Sequence, residues 1–168
     1  VITPETYTFS FDIDRPQGNT TYRRVMDFLM RYPNTDFILG SLTYRLYTDR
    51  SKASEYAVPI NKMWYESYNT AMIIDTTGIK NYYHKSKLVP AVEILPYAKY
   101  LKFLGPIFDM FGGSANSYVR MSDVVNLVGK EGDMIGAMIC YESIYGDYLR
   151  RCAMYGADFI TVITNDGW

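Results

Sequence analysis

The sequence has few of the residues from which metal sites and disulfide frameworks are built. Its 168 residues include 2 cysteines and 1 histidine. Two cysteines do not make a disulfide framework, and a single histidine cannot complete a zinc site of mixed His and Cys ligands. The composition therefore excludes these two classes of site.

The chain also lacks a strong charge of either sign and a long apolar run. Its net charge is −1, and no basic patch indicates a nucleic-acid partner. No apolar run reaches the roughly 18 residues that a membrane-spanning helix needs, so we expect any membrane spans outside this chain. The chain has no initiator methionine or signal peptide, and strand-like segments lie at both ends. We therefore expect it to be a fragment of a longer polypeptide.

What is present is a pattern of apolar segments typical of an α+β sandwich built in layers. Helical spacing predicts two helices, over residues 19–33 and 143–156. Residues 6–18 and 45–62 are polar and are predicted to be loops. Strands, several of them in antiparallel hairpins, are predicted over residues 1–5, 36–44, 67–78, 79–89, 117–129, 131–141 and 157–164.

Cys140 lies at the junction of a predicted strand and a predicted helix. A thiol near a helix N-terminus ionises more easily, which favours a reactive cysteine. A buried cysteine that only packs is the alternative, and this position alone does not decide between them. Cys152 continues a helical stripe with Ile144 and Tyr148, which predicts that it packs in the core.

Activation of Cys140 by a histidine is not expected. His84 lies in an alternating predicted strand, where we expect a solvated side chain, and Lys85 beside it points to the opposite face. Thiol attack on a carbonyl needs a base and a positive donor for the oxyanion. Glu5 and Lys85 are of those two types, although each also suits a plain surface charge.

Three motifs together resemble the nitrilase (carbon–nitrogen hydrolase) superfamily. They are Pro-Glu at Glu5, Tyr-x-Lys-x-x-Leu-Val-Pro around Lys85, and Cys-Tyr-Glu from Cys140. The longer stretches "NYYHKSKLVPAVEILPY", "GAMICYESIYGD" and "GADFITVITNDGW" are similar to the apolipoprotein N-acyltransferase branch of that superfamily. The resemblance covers nearly the whole chain. It implies a four-layer α-β-β-α sandwich, of which residues 1–168 are a truncated catalytic domain.

The resemblance also implies roles for individual residues. Glu5 matches the general base, Lys85 the oxyanion-stabilising lysine and Cys140 the acyl-carrying nucleophile. The positions matched to supporting or substrate-binding residues are Glu93, Tyr141, Glu142 and Trp168. Two departures from the usual pattern are Val92 in place of glycine before Glu93, and Gly167 in place of alanine before Trp168.

The activity implied is the transfer of an acyl chain from a phospholipid, through a thioester on Cys140, to the N-terminal amine of a diacylglyceryl-cysteine lipoprotein. The implied setting is the periplasmic side of the bacterial inner membrane, with flanking membrane spans. The implied partners are the phospholipid donor, the lipoprotein acceptor and the membrane surface, with no nucleic acid, cofactor or metal. Residues 91–118, which are apolar, aromatic and broken by prolines, then suit a flap that faces lipid, and a segment that only covers the core is the alternative.

Two other functions fit the same residues. A soluble amidase of the superfamily would use the same three side chains, with water as the second acceptor. A binding module without activity would use the same pocket. Fold and triad do not separate these possibilities, whereas apolar spans flanking this chain in the parent polypeptide would favour the acyltransferase.

Overall fold

The computed structural model describes residues 1–89 and 118–165, which form two β-sheets and the helices that cover them. The strands of the first sheet are β1 (Thr8–Asp12), β2 (Phe37–Tyr47), β3 (Val58–Ile60), β4 (Met63–Asp75) and β5 (Gly78–His84). Those of the second are β6 (Asn126–Val128), β7 (Met134–Ile139) and β8 (Phe159–Ile163). The α-helices are α1 (Thr20–Arg31) and α2 (Gly146–Met154), and short 3-10 helices span Pro16–Gly18, Arg50–Lys52 and Cys140–Ile144.

The long strand β4 organises the first sheet. It pairs antiparallel with β2 along one edge and with β3 and then β5 along the other, while β1 runs parallel to β2 on its far side. In the second sheet β7 pairs antiparallel with β6 and parallel with β8. The parallel pair is connected through α2, as a parallel connection requires a crossover.

Helix α1 covers the outer face of the first sheet. Asn19 begins it, because its side-chain oxygen accepts the backbone N–H of Tyr22 at 2.8 Å. The apolar side chains of Tyr22, Val25 and Leu29 recur at helical spacing, and they pack against Leu39 and Met72 of the sheet. Burial of this stripe accounts for the position of the helix.

The opposite face of the first sheet packs against the second sheet. Ile73 and Tyr83 from the first sheet share one core with Ile135 and Ile163 from the second. Helix α2 covers the far side of the second sheet, where an added Cβ on Gly136 would lie 3.0 Å from Cβ of Cys152. The order helix, sheet, sheet, helix confirms the predicted α-β-β-α sandwich.

Both predicted helices are present, although α2 begins three residues later than expected. Residues 140–144 form the 3-10 turn instead, so Ser143 is not the cap. Cys152 and Tyr148 are buried as predicted, whereas Ile144 lies on that turn and is 65% exposed, so its assignment to the core stripe was wrong. In β8, Thr161 and Ile163 are buried on one face, whereas Val162 on the other face and Phe159 at the start of the strand are exposed.

Strands β1 and β3 lie in ranges that were predicted to be loops. Both are at edges of the sheet formed by the described residues, where one side of the strand has no paired strand among them and apolar alternation is weak. β3 contains Pro59, which suits an edge strand only. At the N-terminus, the predicted strand over residues 1–5 is reduced to a single bridge between Ile2 and Ile38. Within the two described ranges, no helix has the length and apolar character needed to cross a membrane.

Candidate active site

Glu5 is held beside β2 by the backbone on either side of it. The N–H of Thr3 donates to the Ile38 carbonyl at 2.9 Å, and the N–H of Tyr7 donates to the Gly40 carbonyl at 3.0 Å. Glycine at position 40 makes this approach possible. A Cβ there would overlap the Pro4 carbonyl oxygen and would lie 2.9 Å from Cγ2 of Ile163, the last residue of β8. Glu5 therefore lies where an end of the second sheet meets the first.

Lys85 is in direct contact with Glu5. Its ammonium Nζ lies 3.3 Å from Glu5 Oε1, and the lysine is only 1% exposed. Asn69 of β4 donates its side-chain amide to the same oxygen of Glu5. A buried ammonium requires such a partner, and the attraction is stronger inside the protein than in water. Glu5 and Lys85 are thus a buried ion pair and not two surface charges.

Cys140 occupies a turn with unusual backbone geometry. It directly follows β7 and begins the 3-10 helix, and its φ angle is 51°. A non-glycine residue in this left-handed region is strained and persists only where the surroundings fix the conformation. The Ser143 hydroxyl contributes by donating to the Cys140 carbonyl at 2.9 Å. The side chain of Cys140 is half-buried and packs against the core between the sheets.

Glu142 connects the turn that carries Cys140 to the segment that carries Lys85. Its Oε2 accepts the backbone N–H of Ile139 at 2.9 Å, and its Oε1 accepts the backbone N–H groups of Ser86 at 2.7 Å and Lys87 at 3.0 Å. The residue is fully buried. A buried carboxylate that accepts several N–H groups is a strong tether, since each bond is made to a charged group. Glu142 therefore holds the residues next to Cys140 against the residues next to Lys85.

Tyr83 and Tyr148 complete the surroundings of Glu142. Tyr83 donates its hydroxyl to Glu142 Oε1 and accepts the N–H of Ser86 at 2.9 Å. Burial, and after it the nearby charge of Glu142, raises the pKa of both tyrosines above the ordinary value. Both phenols therefore keep their protons across the physiological range, and Tyr83 remains a donor to the carboxylate.

The remaining predicted site positions have different outcomes. Tyr141 is half-buried and its ring meets the Tyr145 ring edge-on, with centroids 5.5 Å apart. Lys87 places its ammonium 5.8 Å from the centroid of the Tyr145 ring. Glu93 and Trp168 lie outside the described residues, and so does the predicted flap except for its last residue.

His84 is not solvated, so that expectation was wrong. The residue is 5% exposed, its ring stacks on Tyr68 with centroids 4.1 Å apart, and its Nδ1 lies 2.8 Å from the Thr70 hydroxyl. Burial, and after it the positive charge of Arg45, lowers the pKa of His84 to about 3. The alternating pattern was correct in placing His84 and Lys85 on opposite faces, but here both faces of the sheet are covered.

Asn69 is the residue of this site that the sequence did not reveal. It belongs to no motif of the resemblance, and an asparagine within an apolar strand has no spacing signature. Its place follows from strand register, because Thr70 pairs with His84 and so Asn69 meets the backbone of Lys85, whose N–H donates to the Asn69 carbonyl at 2.8 Å.

The chain was compared with protein-family profiles and with curated proteins, and the matches agree with one another. A profile of the Carbon-nitrogen hydrolase family matches residues 51–168. The apolipoprotein N-acyltransferase of Chlorobaculum tepidum is 31% identical over 172 residues, which covers 100% of this chain and 32% of that protein. The apolipoprotein N-acyltransferase of Vibrio vulnificus is 28% identical over 110 residues, covering 60% of this chain and 21% of that protein. The chain thus spans about a third of the length of the first of these relatives.

Solved structures share the fold. A carbon-nitrogen hydrolase from Helicobacter pylori matches 100% of this chain with 48% of its own length, at a TM-score of 0.54 and 15% identity. An amidase of the nitrilase superfamily from Nesterenkonia matches 99% of this chain with 53% of its own length, at a TM-score of 0.50 and 14% identity. The profile matches more than half of the sequence, which shows that the chain belongs to the carbon-nitrogen hydrolase family.

Proposed function

We propose that this chain is the catalytic part of an acyltransferase that moves a fatty acyl group from a phospholipid to the N-terminal amine of a diacylglyceryl-cysteine lipoprotein. The observation that carries the proposal is the buried contact between Lys85 Nζ and Glu5 Oε1, 3.3 Å long. Glu142 links the Lys85 segment to the turn bearing Cys140. The choice of substrates is supported by the 31% identity to the protein named apolipoprotein N-acyltransferase.

In the first step, Glu5 accepts the thiol proton of Cys140, and the sulfur attacks an ester carbonyl of the phospholipid. The negative charge that develops on the carbonyl oxygen is stabilised by the ammonium of Lys85 together with a backbone N–H at the start of the helical segment after Cys140. The carbon–oxygen bond to the glycerol then breaks, and the leaving alkoxide takes the proton back from Glu5. A lysophospholipid departs, and a thioester remains on Cys140.

In the second step, the free α-amine of the lipoprotein attacks the thioester. Glu5 accepts a proton from the amine, Lys85 again stabilises the oxyanion, and the carbon–sulfur bond breaks as the leaving thiolate takes that proton from Glu5. The products are an N-acylated lipoprotein and the regenerated thiol. No cofactor is required in either step, because the groups that move protons or hold charge in this mechanism belong to the chain and its substrates.

The remaining roles belong to the same proposal. Tyr141, Glu93 and Trp168 support or contact the substrates, and residues 91–118 face the lipid. Membrane spans that flank this catalytic part in the longer polypeptide hold it at the periplasmic face of the bacterial inner membrane. These assignments follow the family resemblance.

Trapping the acyl-enzyme tests the proposal directly. The full-length protein is incubated with a phospholipid that carries a radiolabelled acyl chain, and labelled protein is isolated in acid. Label that hydroxylamine releases identifies a thioester. We expect it in the wild type and in Cys152→Ala, because Cys152 packs in the core, and we expect none in Cys140→Ala.

The outcome also separates this function from that of an amidase. An acyltransferase loses the label from Cys140 when a diacylglyceryl-cysteine peptide is added, and the peptide gains it. An amidase would hydrolyse small amides and would take no label from phospholipid. Absence of labelled wild-type protein, or full labelling of Cys140→Ala, would contradict the proposal.

A further inference from the structure

Asn69 contacts both members of the buried ion pair. Its backbone carbonyl accepts the N–H of Lys85 at 2.8 Å, and its side-chain amide donates to Oε1 of Glu5. The residue is 2% exposed. We propose that Asn69 is a positioning residue that holds the carboxylate of Glu5 in the orientation required for proton transfer. This inference rests on the proposed function, because it assigns a role to a group beside the general base.

The register of β4 and β5 explains why Asn69 is suited to this task. Ala71, two positions along β4, pairs with Tyr83 and packs in the core between the sheets. Side chains two positions apart on a strand share a face, so Asn69 also points toward the second sheet. The segment of Glu5 lies along β2, on the other edge of β4. Asn69 therefore stands between the two.

The contacts of the carboxylate indicate which oxygen reacts. The ammonium of Lys85 and the amide of Asn69 both approach Oε1. Two donors converging on one oxygen fix the plane of the carboxylate, and we assign the proton transfer to the other oxygen, Oε2. An amide does this without adding a charge. A second cation would instead have held the carboxylate more tightly in its ionised form and weakened it as a base.

Two substitutions at position 69 separate positioning from simple packing. In Asn69→Ala the donor is lost, and we expect the rate constant for acylation of Cys140 to fall about 10- to 100-fold, the effect of one hydrogen bond to a charged group. In Asn69→Asp the size is kept but a carboxylate faces Glu5, so we expect a larger fall. The KM for the phospholipid should change less than about twofold, because Asn69 contacts the base and not the donor lipid.

The relative acylation rate constants of Asn69→Ala and Asn69→Asp decide the outcome. A residue that only fills space would give the opposite order, with Asn69→Asp closer to wild type than Asn69→Ala. That order, or a loss that appears only in KM, would overturn the inference.

Asn126→Ala is the matched control. This asparagine is also buried, and its amide donates to the carbonyls of Cys152 and Tyr155. We expect its acylation rate to stay near wild type at a temperature where all variants are folded. A comparable loss in Asn126→Ala would overturn the inference, since the effect would then be general to buried amides.

The same measurements distinguish failure of this inference from failure of the proposed function. If the wild type forms the thioester and Asn69→Ala forms it equally fast, the assignment of Asn69 is wrong and the acyltransferase proposal stands. If the wild type forms no thioester from phospholipid, the proposed function is wrong and the inference falls with it.

Discussion

The carboxylate of Glu142, two residues after Cys140, accepts the backbone N–H of Ser86, one residue after Lys85, at 2.7 Å. The bond joins the end of a strand in one sheet to a turn at the end of a strand in the other. Family resemblance assigned Glu142 a supporting or substrate-binding role. We propose the supporting one, because its hydrogen-bond partners among the described residues are backbone and side-chain donors of the chain itself.

Replacing Glu142 should destabilise the protein. In Glu142→Gln one acceptor oxygen becomes an NH₂ group that faces N–H donors. These buried donors lose their hydrogen bonds, and water cannot reach them to replace the acceptor. We expect the free energy of unfolding to fall by about 3 kcal/mol, measured by urea denaturation. Glu131→Gln is the control, because Glu131 is exposed and its substitution should have little effect. Equal stability of the two variants would contradict the tethering role.

Substitution of Gly40 should displace Glu5. The added methyl group in Gly40→Ala would overlap the Pro4 carbonyl oxygen and crowd Ile163. We expect a loss of about 1–3 kcal/mol in stability, typical of overpacking, together with slower acylation of Cys140. Gly18→Ala is the matched control, since nothing lies within 4 Å of the position its Cβ would take. Wild-type acylation by Gly40→Ala would show that the close approach of Pro4 is not required.

Burial of His84 should make stability depend on pH. Its pKa in the folded protein is about 3, against an ordinary value of 6.5. Between these values the unfolded chain takes up a proton that folded His84 does not. The contribution of His84 to stability is therefore fully present well above pH 6.5 and is lost as the pH is lowered toward 3, by at most about 1.4 kcal/mol per pH unit.

The variant His84→Gln checks this dependence. Glutamine does not titrate, and His84 is the chain's single histidine. We expect the slope of unfolding free energy against pH, measured by urea denaturation between pH 4 and pH 7, to be shallower in the variant. Identical slopes would mean that the imidazole takes up its proton equally well in the folded protein.

The backbone of Cys140 predicts an unusual ranking of two inactive variants. Its φ of 51° is strained for alanine but not for glycine. We expect Cys140→Gly to be more stable than Cys140→Ala by about 1 kcal/mol, although glycine usually destabilises. Thermal unfolding of both variants measures the difference, and a more stable Cys140→Ala would show that the turn relaxes when the thiol is removed.

Apolar periodicity predicted much of the fold. Strands β2, β4, β5, β7 and β8 and both α-helices lie within or close to the predicted ranges, because each buries an apolar face or stripe. β1 and β3 were not predicted, because edge strands show little apolar periodicity. The wrong assignment of Ile144 has a local cause: a 3-10 turn intervenes after Cys140, so the helical phase begins only at Gly146.

The site was only partly predictable. Residue type and motif named Glu5 and Lys85, but their spacing gave no reason for the two to meet across the fold. Their contact depends on the register of β4 with its neighbours and on the absence of a side chain at Gly40. The burial of His84 depends in the same way on rings of other residues, Tyr68 and Tyr82, that cover a face which the pattern alone left open.

Glu5 lies beside β2 and Lys85 follows β5, both of the first sheet, whereas Cys140 follows β7 of the second. During maturation of a nascent chain, the Glu5–Lys85 pair can therefore form before any thiol is near it. Under the proposed mechanism, Glu5 can accept the proton of Cys140 only after the two sheets have packed together. The reactivity of Cys140 toward an electrophile during refolding would report that docking event, separately from the appearance of β-structure.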